Sequence, residues 1–356
     1  MIKLVISGGG TVGSIMPLVT IANKLREQND QNEILFIGTR RGKAEKEIID
    51  RNNFKSKKIF CGKLRRYFDL RNFFDIIPTM TGFFQALVIL AKFKPDVVMG
   101  AGGYVSVPVI WAAWILRLKI LIHQQDLRPS LSNILVKSLA DKITVSFEKS
   151  LTYFPLEKTT WTGNPARSDL STASAELAYR KFDLEKGLPL LLIIGGSSGA
   201  VLLNSTVFAC LPKLIEFCQV VHITGIGKKI AVANNPRFQQ YEFITDDLVH
   251  LMKAADLIVS RAGLSVITEL SILEKPSIII PIENSHQEDN ARFLQEKKAA
   301  SIIFQNQLSP TILLNKISDI LKDKDAQAIY SQNISSISKP QATEEILQLL
   351  ISLIQK

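Results

Sequence analysis

Residues Ser260 to Ala291 gather the side chains best suited to hold a phosphorylated sugar. The run SRAGLSVITELSILEKPSIIIPIENSHQEDNA starts at the end of an apolar strand, Asp256 to Ser260, and passes through Arg261-Ala262-Gly263 into a helix. Glycine lets a backbone approach a ligand closely, and a helix start offers unpaired N–H groups to an anion. Glu269 follows one to two turns later, where a carboxylate can accept from both hydroxyls of a vicinal diol such as ribose. A second apolar strand, Ser277 to Pro281, opens on His286-Gln287 and Asn290-Ala291, a polar run that starts another helix. Two successive strand ends with polar loops point to a nucleotide-sugar pocket in a parallel sheet. Two ordinary βα turns with surface polar residues would read the same way.

Two glycine loops add anion-binding backbone. Gly8-Gly9-Gly10-Thr11-Val12-Gly13-Ser14 precedes a helix with Pro17 near its start, and Gly195-Gly196-Ser197-Ser198-Gly199-Ala200 precedes another. Each can aim N–H groups at a phosphate. Neither is a P-loop, because no Gly-Lys-Ser/Thr follows, and neither has dinucleotide-binding spacing with its acidic partner. Their matching positions, together with the Glu269 segment, imply a cleft between domains that holds a diphosphate.

Alternating strands and helices must position these loops. Lys3 to Ser7, Glu33 to Gly38, Asp96 to Gly100 and Lys119 to His123 read as strands. Pro17 to Glu27, Val107 to Leu116 and Ser130 to Ala140 read as helices between or after them. Strands separated by helices imply parallel pairing with right-handed crossovers. Thr162-Gly163-Asn164-Pro165-Ala166-Arg167 signals a boundary, after which the pattern restarts with the strand Leu190 to Ile194. The expected fold is α/β, two doubly wound Rossmann-like domains facing a cleft. Residues 1–165 form the first domain and 166–340 the second. The apolar helix near Glu344 to Gln355, within 341–356, is free to cross back to the first.

Composition bounds the function. The 356 residues suit about two domains. Cys61, Cys210 and Cys218 have no metal or redox spacing and fit buried thiols in a reducing cytosol. The four histidines are scattered, so no metal site and no cofactor are expected. No signal peptide is legible, and the longest apolar stretch, Tyr104 to Leu116, is too short to span a bilayer. The net charge of +10 is uneven: residues 1–165 hold 24 Lys+Arg against 13 Asp+Glu, a net +11, and the rest carries −1. Lys63, Arg65 and Arg66 lie beside Tyr67-Phe68, Phe73-Phe74 and Phe83-Phe84. Basic residues next to aromatics suit an anionic membrane surface, a solvated face beside a buried helix, or a nucleic acid. No nucleic-acid-binding motif accompanies the charge.

Over nearly its whole length the chain resembles the lipid II-forming N-acetylglucosaminyltransferases of peptidoglycan synthesis, the MurG family. The resemblance runs through the first glycine loop with Pro17, Gly102-Gly103-Tyr104-Val105-Ser106 with Pro108, and His123-Gln124-Gln125-Asp126 with Leu131 and Asn133. It continues through Gly163-Asn164-Pro165-x-Arg167, Gly195-Gly196-Ser197-x-Gly199-Ala200 with Asn204, and Phe243-Ile244-x-Asp246. It ends with Arg261-x-Gly263, Glu269 and His286-Gln287-x-x-Asn290-Ala291. It implies a glycosyltransferase B fold and transfer of N-acetylglucosamine from UDP-N-acetylglucosamine to the muramyl 4-hydroxyl of undecaprenyl-linked lipid I, without an essential metal. It also implies a peripheral enzyme on the cytoplasmic side of the cell membrane, with cell-wall synthesis proteins as further partners. Thr11, Gly13, Arg167, Ser197, Ile244, Arg261, Glu269 and Gln287 are then expected on the donor side, with Ser197 at the diphosphate and Glu269 at the ribose. Gly10, Tyr104 and Asp126 are expected on the acceptor side, with Thr11 and Gly13 shared. Lys63, Arg65, Arg66, Phe73 and Phe74 are expected at the membrane.

The chain departs from the family where proton transfer is expected. Val12 and Ser14 replace a Gly and the His of the usual GGTGGH loop, and Gln124 and Asp126 replace the Glu and Asn of HEQN. A serine cannot take a proton near neutral pH without its own base. Asp126 is therefore the best-placed base by sequence, with Ser14 and His123 as the other candidates. A helix cap or turn would also explain Asp126, and a packed strand-end histidine would explain His123. Two other functions fit parts of the text: a same-fold transferase with another glycolipid or polysaccharide acceptor, and a non-catalytic nucleotide-sugar-binding protein.

Overall fold

Runs of Val, Ile and Leu between polar residues become strands buried on both faces, as helix-covered parallel sheets require. The computed structural model describes residues 1–9, 12–40, 48–63, 71–195, 200–231 and 234–355. Gly10, Thr11, Arg65, Arg66 and Ser197 lie outside the described residues, as do the side chains of Ser14 and Phe73. The chain divides into two units, Met1–Arg167 with Lys339–Lys356, and Ser168–Ser338.

The first unit holds strands β1 (Lys3–Ser7), β2 (Glu33–Thr39), β3 (Lys55–Ile59), β4 (Val97–Gly100), β5 (Lys119–Gln124), β6 (Lys142–Val145) and β7 (Thr159–Trp161). They pair in parallel in the order β3-β2-β1-β4-β5-β6-β7. Helices α1 (Val12–Gln28), α2 (Arg71–Phe93), α3 (Ser106–Ile115) and α4 (Leu131–Val136) connect them. Helix α1 starts five residues earlier than Pro17 suggests. Pro17 sits inside it and forgoes one bond to the Gly13 carbonyl, while Ile15, Leu18, Val19, Ala22 and Leu25 bury the inner face.

Helix α2 is the largest departure from the expected elements. Its inner face packs Ala86 and Leu90 into the core, with Phe83, Leu87 and Phe93 against it. Its outer face leaves Phe74, Ile77, Phe84 and Val88 exposed by 73%, 69%, 60% and 54%. Their spacing of three, seven and four residues draws one stripe along the helix. The stretch Phe74–Phe93 has a mean hydropathy of 1.6, so among the described residues the helix long and apolar enough to cross a bilayer is here and not at Tyr104 to Leu116.

The second unit holds β8 (Leu190–Ile194), β9 (Gln219–Ile223), β10 (Phe238–Tyr241), β11 (Leu257–Ser260), β12 (Ser277–Ile279) and β13 (Ser301–Ile302), again all parallel, in the order β10-β9-β8-β11-β12-β13. Its helices are α5 (Ala175–Lys181), α6 (Val201–Leu214), α7 (Leu248–Ala254), α8 (Leu264–Ile272), α9 (His286–Glu296), α10 (Pro310–Lys322) and α11 (Lys324–Ser335). The final helix α12 (Ala342–Ile354) returns to the first unit, where Ile346, Leu347, Leu350 and Leu353 join the cluster of Leu4, Ile6, Leu18 and Leu25. Gly163 permits the return. Its φ of +82° is left-handed, and a Cβ there would press at 3.0 Å on the Lys339 backbone. Lys339 then donates from Nζ to the Trp161 carbonyl at 2.8 Å and lies 4.5 Å over the Trp161 ring.

Candidate active site

In an open parallel sheet, ligands settle beyond the carboxyl ends of the strands where the strand order reverses. In the first unit that reversal lies between β1 and β4. The loops after these strands touch. Gly103 has a φ of +79°, and a Cβ on it would collide with the Gly9 carbonyl oxygen. The loop after β5 joins them: a Cβ on Gly102 would lie 3.2 Å from Ser130 Oγ, and Gln125 Nε2 donates to the Ala101 carbonyl at 3.2 Å. Three strand-end loops carrying Gly9, Gly103 and Asp126 thus form one corner.

Gln124 fastens the loop that carries Asp126. Its Nε2 donates to the carbonyls of Asp126 (2.8 Å) and Arg128 (3.1 Å). Its Oε1 accepts from Ser130 N (3.2 Å) and Asn133 Nδ2 (2.8 Å). A carboxylate in its place could not donate, so the Gln at this position has a local reason. Ser130 caps α4 by accepting from Asn133 N at 3.2 Å. Asn133 is buried, and its Oδ1 has no partner among the described residues. Asp126 and Tyr104 are half-buried, and Gly13 lies in the first turn of α1.

His123, a candidate catalytic group by sequence, is buried in the structure. It is 0% exposed. Its Nδ1 pairs with Thr144 Oγ1 at 2.9 Å, and its Nε2 with Asn164 Oδ1 at 3.2 Å and Ser146 Oγ at 3.3 Å. Burial lowers its pKa to about 4, so the ring is neutral near pH 7. It has no exposed surface, and both ring nitrogens are engaged. It holds Asn164, which comes from the Gly163-Asn164-Pro165 segment.

In the second unit the order reverses between β8 and β11. Gly195 follows β8 and donates to the Ile223 carbonyl at 3.0 Å. Asn204 on α6 donates to the Thr224 carbonyl at 2.9 Å and pairs with His222 Nε2 at 3.1 Å. After β11, Arg261 donates from Nη1 to the carbonyls of Ile280 (3.1 Å) and Pro281 (3.3 Å), and its buried Nε has no partner among the described residues. Burial lowers the guanidinium pKa. Asn290 Nδ2 donates to the Ala262 carbonyl at 3.1 Å and pins this loop to α9. Gln287 lies one residue inside α9: its N–H is capped by Ser285 Oγ at 3.2 Å, and its Oε1 accepts from Ile282 N at 3.2 Å. Gly263 has open space where a Cβ would stand. Glu269 is half-buried on α8, and Ile244 is half-buried after β10. Arg167 is the last residue of the first unit's long segment, two residues beyond the boundary expected at 165.

The relatives follow the same plan. The glycosyltransferase family 28 N-terminal domain matches residues 4–145, and the family 28 C-terminal domain matches residues 190–346. A Clostridium kluyveri protein named UDP-N-acetylglucosamine--N-acetylmuramyl-(pentapeptide) pyrophosphoryl-undecaprenol N-acetylglucosamine transferase is 34% identical over 98% of this chain and 99% of its own. An Acetivibrio thermocellus protein of the same name is 36% identical over 98% and 97%. The chain belongs to glycosyltransferase family 28, among the MurG transferases. The crystal structure of Acinetobacter baumannii MurG superposes with a TM-score of 0.78 at 24% identity, covering 99% of this chain and 100% of that one. S. aureus MnaA, in a co-structure with UDP, superposes at 0.72 and 15% identity over 100% and 98%. These likenesses show the glycosyltransferase B fold.

Sequence reasoning missed the pairing of His222 with Asn204, because the partners lie on adjacent elements 18 residues apart and no local pattern links them. It also missed Cys61, whose Sγ donates to the Tyr104 carbonyl at 3.2 Å. Among the described residues no cluster of His, Cys, Asp or Glu is gathered as a metal site needs. Lys63 is exposed, as is Phe74.

Proposed function

We propose that this MurG-family transferase moves N-acetylglucosamine from UDP-N-acetylglucosamine to the muramyl 4-hydroxyl of lipid I with inversion, giving lipid II. The observation that carries the reading is end-to-end identity of 34–36% with relatives of that name, joined to a fold that keeps a glycine corner at each sheet's reversal point.

The first unit's corner takes the acceptor and the second unit's corner the donor. Glu269 accepts from the ribose hydroxyls, Gln287 meets the sugar, and the backbone at Ile244 meets the uracil. Arg167, Thr11 and Gly13 are assigned to the donor, with Thr11 and Gly13 shared with the acceptor. Ser197 and the N-terminus of α6 meet the diphosphate, and Arg261, braced on two carbonyls, offers a preset positive charge as the leaving group departs. Asp126 takes the proton from the attacking hydroxyl, and Gln124 holds the loop that aims it. Gly10 and Tyr104 line the acceptor. The chemistry needs no resident cofactor in this scheme. Purified protein, lipid I and labelled UDP-N-acetylglucosamine test it directly: labelled lipid II is the expected product. Donor binding without product would point to a nucleotide-sugar-binding protein, and label moved only to another glycolipid would point to a different acceptor.

The enzyme works as a peripheral protein on the cytoplasmic membrane face. Support comes from the exposed apolar stripe of α2, beside the basic excess of residues 1–165. One helix face packs on the unit's core, so α2 lies along an anionic surface with Phe74 inserted and Lys63, Arg65 and Arg66 at the headgroups.

A further inference from the structure

Phe60, Cys61 and Gly62 leave the end of β3, run along α2 and reach the Gly102-Gly103-Tyr104 loop after β4. Phe60 N donates to Gln85 Oε1 at 2.9 Å. Gly62 N donates to Thr79 Oγ1 at 3.3 Å, and that hydroxyl donates to the Asp75 carbonyl at 2.7 Å. Asp75, Thr79 and Gln85 all belong to α2. A Cβ on Gly62 would collide with the Asp75 carbonyl oxygen, and one on Gly82 with that of Phe60. Two glycines therefore let this short strap lie flush on the helix. On its other side Cys61 Sγ donates to the Tyr104 carbonyl at 3.2 Å, with the Gly62 carbonyl at 3.4 Å. Burial pushes the Cys61 thiol up to about 11, so it stays an S–H donor at neutral pH. Tyr104 follows Gly103, which is pressed against Gly9.

A continuous set of contacts thus joins the helix with the exposed apolar stripe to the first unit's glycine corner. We infer that the strap ties the position of α2 to the Gly102-Gly103-Tyr104 loop and makes Cys61 a positioning residue for the acceptor. This rests on the reading of Tyr104 as an acceptor-side residue. Seating the outer face of α2 on a membrane restrains the helix, the strap carries that restraint to the Tyr104 carbonyl, and the loop is ordered for the acceptor. A thiol–carbonyl bond is weak, so the effect is modest in size but directed at one substrate.

The test has a kinetic arm and an exchange arm. Cys61→Ala raises the KM for lipid I about two- to ten-fold, the worth of one ordinary hydrogen bond, with the donor KM within about two-fold. Cys61→Ser keeps a donor at the same place and restores the wild-type value. In the exchange arm, vesicles of phosphatidylglycerol and phosphatidylcholine slow amide hydrogen exchange across residues 102–106 of the wild type. They do not do so in Cys61→Ala, although that variant still binds the vesicles. Gln85→Ala, which frees Phe60 from the helix, moves both readouts the same way and serves if Cys61→Ala fails to fold. The inference is overturned if lipid I KM and exchange at 102–106 match the wild type in Cys61→Ala. It is equally overturned if Cys61→Ser is as impaired as Cys61→Ala with both substrates affected, since that is a packing defect. A wild type that makes no lipid II defeats the proposed function, while the exchange arm still decides the strap.

Discussion

The two sheet-reversal corners answer the same geometric demand with different chemistry. In the first unit the loops are fastened by neutral groups: backbone on backbone at Gly9 and Gly103, and four hydrogen bonds around the Gln124 amide. In the second, a half-buried guanidinium, Arg261, is braced on the carbonyls of Ile280 and Pro281. In the proposed reaction a preset cation suits the corner where the leaving diphosphate gathers charge, and the other corner carries the Asp126 carboxylate. The family's motif residues are kept at the charged corner, and all four departures, Val12, Ser14, Gln124 and Asp126, fall at the neutral one. The departures thus gather at the corner proposed above to take the acceptor.

The sharpest way to break that comparison is Asp126→Asn. Turnover at saturating lipid I and donor is expected to fall about 10²–10⁴-fold, the usual worth of a general base, with donor affinity little changed. A rate within a few-fold of wild type makes Asp126 a turn residue and leaves the neutral corner without a base. Next in size is the outer surface. Changing Lys63, Arg65 and Arg66 to Glu removes three basic groups, each worth on the order of 1 kcal/mol near an anionic membrane. Vesicle co-sedimentation should weaken accordingly, and salt should weaken the wild type as well. If the triple variant pellets as well as wild type at low salt, this patch is a solvated face. Glu269→Ala probes the charged corner from its other end, with donor affinity expected to drop by about 1.5–3 kcal/mol, as for a hydrogen bond to a charged partner. Calorimetry on folded protein showing unchanged affinity would remove Glu269 from the site.

The last test, on stability and not on activity, asks where the corners are alike. His123 and His222 are both buried, each pairs through Nε2 with an Asn, and burial lowers each pKa to about 4. Between the ordinary value near 6.5 and 4, the unfolded chain takes up the proton and the native chain does not. Stability is therefore unaffected by these groups above about pH 6.5 and is lost as pH falls toward 4, by about 1.4 kcal/mol per pH unit for each histidine. Urea midpoints measured from pH 7.5 down to 5 should fall along this slope. A flat profile would show that the rings can take up protons in the native state.

Sequence patterning located the corners because apolar runs ending in glycine are local signals. The strands Lys3–Ser7 and Leu190–Ile194 match the expected runs residue for residue. Strand β3 escaped because its sequence, Lys-Ser-Lys-Lys-Ile, is four-fifths exposed at the sheet edge, where lysines guard against mispairing. Helix α2 escaped because Pro78 interrupts it and its aromatics point both inward and outward. Asn164, Thr144 and Ser146 lie 21 to 41 residues from His123, so the net that buries that ring becomes visible only once β5 and β6 are side by side. The residue types at Gln124 and Asp126 were legible as departures, but the reason for an amide at 124 needed the carbonyls of 126 and 128 in place.

The return of α12 also sets a timetable for folding. Four of its leucines and isoleucines complete a core begun by Leu4 and Ile6, more than 330 residues earlier in the chain. A ribosome releases Ser168–Ser338 as one unbroken stretch with its own sheet, able to close as soon as it emerges. The first unit, although begun earlier, keeps part of its apolar core uncovered until the last turns of the chain arrive. The unit begun earlier is thus the one completed later.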